Sequence, residues 1–520
     1  MKTLFKPTSY HSGVAMAVSA TAVWKVLSFA NALLIAAYFG AGAGTDLYFY
    51  LMMLLGFALT FLQRLNAAVI IPEAMAQDSQ TPLSGRILLN QFLYIYVAGT
   101  VLLAVIGAVA PAWLGTHISR FETVQIISQQ NLITLSCCLF GLQLLVSYLT
   151  AILEMYRRFA TALLSPLNAL LPLVCLLLFG RQVGIVSMIY GFLAANLVQL
   201  AVFSYALRKD LNWHFSVPVR SFSGMFTKNL ISNQTIELAN IVSSLLPLYL
   251  LSGLAAGMVS ALNYAKQLSD SATEILTLRV TNVSKIQLTE NATALAWDKF
   301  NRDYNVTHHF LWFLLTPLAV FSIFYAPEII TLFFKRGAFS MQDAHHAAGF
   351  LRPLLGLMWL MVPILMQNNA VVATRKLKDF LPYTLAGIVL FIATVPLTMH
   401  RWGALAYPYT QLICCVLGIA INALYFRRYL PQFALRTSLQ EGARLLACSI
   451  IALLPSAVYA WFVAGKNPWV TVLIGGIIFM TGLLLLTKYS GDLQRFAHPC
   501  RPASSMPGNA ADKTADCGVR

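Results

Sequence analysis

Fourteen mostly apolar stretches of about twenty or more residues, the length needed to cross ~30 Å of hydrocarbon as a helix, follow one another along the chain. They are 15–39, 47–71, 89–114, 131–153, 160–180, 183–206, 229–252, 256–280, 308–333, 346–371, 380–399, 404–426, 442–464 and 468–488. A backbone in lipid must satisfy its own hydrogen bonds, which leaves only helices and closed barrels, and runs of this length are helical. Composition agrees, with 58% hydrophobic and 10% charged residues. A soluble domain carries about 25% charged residues. A water-soluble enzyme, a disordered chain and a disulfide-stapled secreted domain are thereby excluded. The expected fold class is an all-α polytopic membrane protein of about 14 transmembrane helices.

Charge sets the expected orientation. Of the 35 Lys and Arg residues, 24 fall in one alternating set of links and termini and 6 in the other; Lys25, Arg64, Lys266, Arg279 and Arg352 fall within or at the edge of spans. Cations collect on the cytoplasmic side, so both termini are expected in the cytoplasm. The net charge of +16 is then a consequence of topology, and no nucleic acid partner is expected. The polar start, 1–13, runs into a span too long for a cleaved signal peptide. The tail, 490–520, is poor in groups to bury and is expected to be disordered. The eight cysteines show no ligand spacing, and His308-His309 and His345-His346 are adjacent pairs rather than i,i+4 pairs, so no metal site is expected.

The two halves echo each other. Gly42, Thr45, Leu47, Phe49 and Arg64 stand 215 positions before Gly257, Ser260, Leu262, Tyr264 and Arg279, and Ala110-Pro111 stands 216 before Ala326-Pro327. This suggests a duplicated six-helix unit. The expected organisation is a cytoplasmic N-terminus (1–14), two six-helix bundles (15–210 and 224–428) around a central cavity, helices 13 and 14 (436–489) and the cytoplasmic tail. Transporters built from repeats place their site between the halves.

A charge within hydrocarbon costs roughly 2.5–3.5 kcal/mol on insertion scales, so each one needs a reason. Lys25 lies near the middle of span 1, too deep to reach the interface easily. Arg64 lies near the end of span 2, where a long side chain reaches water. In span 8, Asn263, Lys266, Gln267, Asp270 and Glu274 recur three or four apart and share one face. Span 7 carries Asn233, Glu237, Asn240 and Ser244; Glu237 reads as a buried protonated carboxyl or the partner of a cavity lysine. Asp46 opens span 2, where an acidic residue caps a helix N-terminus. Cations in a wet space suit an anionic head group such as a diphosphate. The carboxylates suit charge balance or coupling to H⁺ or Na⁺. No catalytic arrangement and no resident cofactor are expected.

Several of these residues sit in recognisable motifs. Phe39-Gly-Ala-Gly42 with Thr45-Asp46 and Phe49, Pro72-Glu73 with Ala76, Ala261-Leu-Asn-Tyr-Ala265, and Leu332-Phe-Phe-Lys-Arg336-Gly337-Ala338-Phe339 after Ala326-Pro-Glu328 resemble the MviN/MurJ family. That family belongs to the multidrug/oligosaccharidyl-lipid/polysaccharide exporter superfamily. The resemblance covers nearly all of 15–490. It implies a flippase of the bacterial inner membrane that moves an undecaprenyl-diphosphate-linked saccharide, typically the peptidoglycan precursor lipid II, by alternating access. The family's two span 1 arginines fall on Lys25 and Asn31. Its span 2 double arginine falls on Leu59-Thr60, with Arg64 one turn later. Its span 8 Asp-Arg falls on Lys266-Gln267, and a following acidic residue on Asp270.

The expected substrate-binding residues are therefore Lys25, Asn31, Arg64, Lys266 and Gln267. Asp270, Glu274, Glu237 and Asp46 are expected to serve coupling or charge balance, with membrane potential, H⁺ or Na⁺ as the driving force. Expected partners are the lipid-linked saccharide, membrane lipids and cell-wall or polysaccharide synthesis machinery. An exopolysaccharide or O-antigen-type repeat unit is an alternative cargo. A cation-coupled small-molecule exporter would need an acidic, aromatic cavity. A membrane glycosyltransferase would need a large external loop with acidic catalytic residues, and none is visible.

Overall fold

The computed structural model describes residues 10–80, 84–215, 224–429, 435–462 and 467–489. The terminal segments 1–9 and 490–520, including the expected disordered tail, lie outside the described residues.

Among the described residues the chain is helical throughout. Fourteen long helices follow the apolar runs: α1 (Tyr10–Phe39), α2 (Ala43–Leu65), α3 (Ser84–Val109), α4 (Gln130–Met155), α5 (Leu167–Val183), α6 (Val186–Asp210), α7 (Gly224–Leu251), α8 (Met258–Thr293), α9 (Trp297–Phe324), α10 (Met341–Ala373), α11 (Leu377–Trp402), α12 (Ala406–Tyr429), α13 (Leu435–Phe462) and α14 (Pro468–Tyr489). Twelve of these are long and apolar enough to cross a membrane among the described residues. The other two are α7 and α8. Within α7 the apolar segment Glu237–Leu251 stands out among the described residues.

Similar local features recur at corresponding places along the two parts of the chain. A short helix follows the third span at each Ala-Pro pair, Pro111–Ile118 in the first half and Ala326–Phe334 in the second. Proline suits the first turn of a helix, where its missing N–H costs nothing. The turns agree as well. Arg157 after α4 and Arg375 after α10 both take a left-handed conformation, with φ of 58° and 56°. Gly184 between α5 and α6 and Gly403 between α11 and α12 do the same, with φ of 72° and 75°.

Two compact units emerge from the packing. Among the described residues, the first comprises 10–267, 333–347 and 388–410; the second comprises 268–332, 348–387 and 411–489. In the first, α3, α4 and α6 pack around Tyr96 and Tyr148, whose rings stack at 4.6 Å. The buried hydroxyl of Tyr148 donates to Leu89 O at 2.6 Å. Trp213 Nε1 donates to Asn90 Oδ1 at 2.7 Å, closing the same core. Helices α5 and α6 approach so closely that a Cβ on Gly191 would lie 2.4 Å from Pro172 Cα. Small residues at such crossings let helices pack where lipid removes the hydrophobic driving force. In the second unit, α13 lies on α9. Gly442 seats the Trp312 ring, where a Cβ would come within 2.6 Å of it. Tyr325 donates to Ser456 O at 3.0 Å, and His309 Nδ1 stands 3.5 Å from Glu441 Oε2.

One end of the first unit is tied together by backbone and buried polar contacts. Asp46, 2% exposed, accepts from Gly257 N at 2.6 Å, Ser260 N at 2.8 Å and Ser260 Oγ at 2.6 Å. The carboxylate therefore satisfies orphan donors at the start of α8, 211 residues away. Tyr264 donates to Gly40 O at 2.9 Å and packs against Phe49, Phe334 and Phe339. Ala338 N donates to Ala37 O at 2.9 Å. Gly337, with φ of 58°, approaches so closely that a Cβ would lie 2.1 Å from Ala37 O. The Arg336-Gly337-Ala338-Phe339 motif is thus a docking element for the α1–α2 junction.

Candidate functional site

The first unit forms a partly open cavity of about 990 Å³. Helix α1 contributes one face, with Thr21, Trp24, Ser28, Asn31, Ala32 and Ile35 at three- and four-residue spacing. Helix α2 adds Tyr48, Phe49, Met52, Gln63 and Asn66; α4 adds Gln143, Ser147 and Glu154; α5 and α6 add Asn168, Asn196 and Gln199; α8 adds Asn263 and Gln267.

Two of the walls form where the backbone leaves α-geometry. Asn66 and Ala67 lie in a π-helical turn, Asn66–Ile70, that continues α2. Thr161 and Ala162 lie in a 3₁₀ stretch, Phe159–Leu164, that precedes α5. Such departures at membrane depth are tolerated where protein or a water-lined cavity surrounds them, and π-turns recur at functional sites.

The amides of the wall are held by one end. Asn31 donates from Nδ2 to Ala169 O at 2.8 Å. Asn66 Oδ1 accepts from Tyr96 at 2.8 Å. Asn196 donates from Nδ2 to Phe192 O at 2.8 Å. Gln199 donates to Leu164 O at 3.0 Å. The opposite ends Asn31 Oδ1, Asn66 Nδ2 and Asn196 Oδ1, together with Gln143 Oε1, have no hydrogen-bond partner within the protein. No Lys or Arg is among the residues lining the cavity, and Glu154 is their one charged group.

The structure divides the expected site residues. Asn31 and Gln267 line this cavity together. Lys25 is half-buried on α1 beside it, its ammonium 5.4 Å from the Trp24 ring centroid. Lys266 is half-buried on α8 next to Gln267. Arg64 is 55% exposed and pairs with Glu237 on α7, itself 20% exposed. The partner of Glu237 is therefore an arginine, where a lysine or a proton was expected. That pair is close because α2 and α7 are neighbours. Asp270 is exposed. The side chains of Glu274, Asn233 and Arg279 lie outside the described residues. Asp46 belongs to the clasp at the start of α8. The cap expected at its own helix is instead given to another.

Sequence reasoning missed Glu154, Gln143, Asn66, Asn168, Asn196 and Gln199. Glu154 falls in the last turn of α4, next to Arg157-Arg158, and reads as an interfacial charge. The signal for the others was the spacing of amides within otherwise apolar spans, such as Asn196 and Gln199, three apart.

Comparison with known proteins follows the same lines. The curated relative from Bdellovibrio bacteriovorus, described as a probable lipid II flippase MurJ, is 21% identical over 252 residues, 48% of this chain and 47% of that protein. The chain thus aligns with about half the length of that relative. Among solved structures, a lipid II flippase MurJ in an inward closed conformation aligns over 92% of this chain and 100% of its own, with a TM-score of 0.77 and 17% identity. An inward-facing multidrug resistance MATE transporter of the MOP superfamily aligns over 79% of this chain and 97% of its own, with a TM-score of 0.61 and 13% identity. Both likenesses are likenesses of fold. The family described as lipid II flippase MurJ matches the sequence itself over residues 35–479, and the chain belongs to that family.

Proposed function

We propose that this protein is a lipid II flippase, moving an undecaprenyl-diphosphate-linked saccharide across the bacterial inner membrane by alternating access. The match of the family over residues 35–479 carries this reading. It favours peptidoglycan precursor over the other cargoes and over a glycosyltransferase.

The substrate's diphosphate needs cations, and Lys25 and Lys266 are half-buried on α1 and α8, Lys25 one residue from Trp24 and Lys266 next to Gln267 of the cavity wall. We assign them to the diphosphate. A charge-assisted contact of this kind is worth roughly 1.5–3 kcal/mol. Arg64 is held by Glu237 and joins them when that pair opens. Asp270 and Glu274 balance the lysines or carry the coupling ion, with membrane potential, H⁺ or Na⁺ as the energy source. The Asp46 clasp on α8 stabilises one arrangement of the first unit and is released as access alternates. The cation asymmetry supports cytoplasmic termini, and the sequence echo between the halves supports a two-bundle organisation, with product delivered to the cell-wall polymerising machinery outside.

Depletion of the resident lipid II flippase from a rod-shaped bacterium is the test. This protein should restore growth and peptidoglycan synthesis. Normal membrane insertion with continued lysis would refute the function.

A further inference from the structure

The contact of α9 with α13, in the second unit, carries ionisable groups to which the transport reading gives no task. His308 and His309 on α9 are 0% and 7% exposed, and none of their four ring nitrogens has a hydrogen-bond partner. An ionisable group within a span is costly and calls for a partner. From α13, Glu441 brings Oε2 to 3.5 Å from His309 Nδ1. That is ion-pair range, yet longer than the roughly 2.7–2.9 Å of a charge-assisted N–H···O bond. Beside Glu441, Gly442 lets the Trp312 ring lie against the α13 backbone, so the two helices touch at this level.

One added proton completes the pair. A neutral imidazole holds one proton for two nitrogens. Uptake of a second from water leaves an N–H on each, and the one at Nδ1 donates to Oε2. The pair then passes from one negative charge to none. Glu441, with 22% of its side chain exposed against 9% for His309, gives the proton its way in. His308 lies between the Tyr304 and Trp312 rings, 5.3 Å from each, and has no ion pair among the described residues. The counter-charge is therefore offered to His309.

The other titratable or charged side chains within two turns are Arg302, Asp303, Tyr304 and His308 on α9, and Arg444 and Cys448 on α13; the side chain of Arg436 lies outside the described residues. Arg302 stands 3.8 Å from Asp303, which also accepts from Asn291 of α8. The charges of α8 nearest Asn291, Lys285 and Glu290, are exposed. Helix α10, which meets α9 where Trp359 donates to Thr316, has no titratable group between Arg352 and Arg375, and α14 has none before Lys488. Arg444, three residues beyond Glu441, shares its face of α13 and keeps a cation near the carboxylate.

We propose that His309 and Glu441 form a proton-binding site that fastens α13 to α9. The ligand is a single proton, and histidine is the side chain that ordinarily changes charge between pH 5 and 8. The site goes beyond the flippase reading and stands or falls independently of it.

Solid-state NMR of the full-length protein, labelled with ¹⁵N-histidine and reconstituted in liposomes, counts bare and protonated ring nitrogens; the signals lost in His309→Gln are those of His309. They should show one bare nitrogen at pH 8 and none at pH 5. Glu441→Gln keeps the shape and removes the counter-charge. It should weaken proton binding about 10- to 100-fold, a shift of about one to two pH units. Arg444→Gln should keep the step. Amide exchange over 442–449, corrected for its intrinsic pH dependence, should slow about 10- to 100-fold from pH 8 to pH 5 in the wild type and stay level in Glu441→Gln. A His309 spectrum identical at pH 8 and pH 5, a step unmoved by Glu441→Gln, or one abolished by Arg444→Gln would overturn the site. Exchange that ignores the step would overturn the fastening.

Discussion

Replacing Asp46 with asparagine tests the tie between α2 and the start of α8. One carboxylate oxygen takes Gly257 N; the other takes both the amide and the hydroxyl of Ser260. All three partners donate, so the group serves as a carboxylate. Asparagine keeps one oxygen and turns an NH₂ toward one of these sites. With the oxygen toward Ser260, the Gly257 bond is lost and two donors face each other. A hydrogen bond to a charged group is worth about 1.5–3 kcal/mol. Loss of the negative charge at a helix N-terminus adds about 0.3–1 kcal/mol. The sum, about 2–4 kcal/mol, corresponds to a roughly 30- to 1,000-fold rise in local opening. Hydrogen–deuterium exchange of the Gly257 and Ser260 amides reads that opening directly. Exchange of Asp46→Asn within threefold of wild type at both amides would refute the clasp.

Gly337→Ala should cost about 1–3 kcal/mol, because it combines a positive φ with a Cβ 2.1 Å from Ala37 O; faster exchange at the Ala338 amide, bonded to that oxygen, checks it. Gly191→Leu should drive α5 from α6 at the Pro172 contact and sharply lower the yield of monodisperse protein by size-exclusion chromatography. A double-mutant cycle on Arg64 and Glu237, read by thermal denaturation in detergent, should give a coupling below about 1 kcal/mol, because the arginine is 55% exposed; a coupling of several kcal/mol would show a fixed structural pair.

The sequence and the structure agree best where hydrocarbon dictates the answer. Every apolar run became a long helix, and even α7 and α8, diluted by Glu237, Lys266 and Gln267, stayed helical. An echo between the two halves of the sequence is carried by a few matching residues near positions 42 and 257. Its deeper trace lies in backbone conformation, where Arg157 and Arg375 share a turn, and turns of that kind are poorly marked by residue identity. Charges within spans stood out because each is costly. Amides cost less and are common at helix contacts, so Asn66, Asn168 and Asn196 did not stand out. What makes them a wall is their convergence from α2, α5 and α6, which depends on tertiary packing. Asp46 shows the same limit: local cap reasoning found a helix end for it, and its donors lie 211 and 214 residues away.

The proposed function is translocation of a lipid-linked diphosphate saccharide through a site that includes Lys25 and Lys266. Its most direct test is transport of fluorescent lipid II across vesicles containing the purified protein. Wild type and Lys25→Arg should flip the lipid. Loss of either lysine should weaken handling of the diphosphate on the order of 10- to 100-fold, and the Lys25→Ala, Lys266→Ala double variant should fall to the rate of empty vesicles while reconstituting normally. Wild-type transport by that double variant would contradict the role of the two lysines, and none by the wild type would contradict the flippase function.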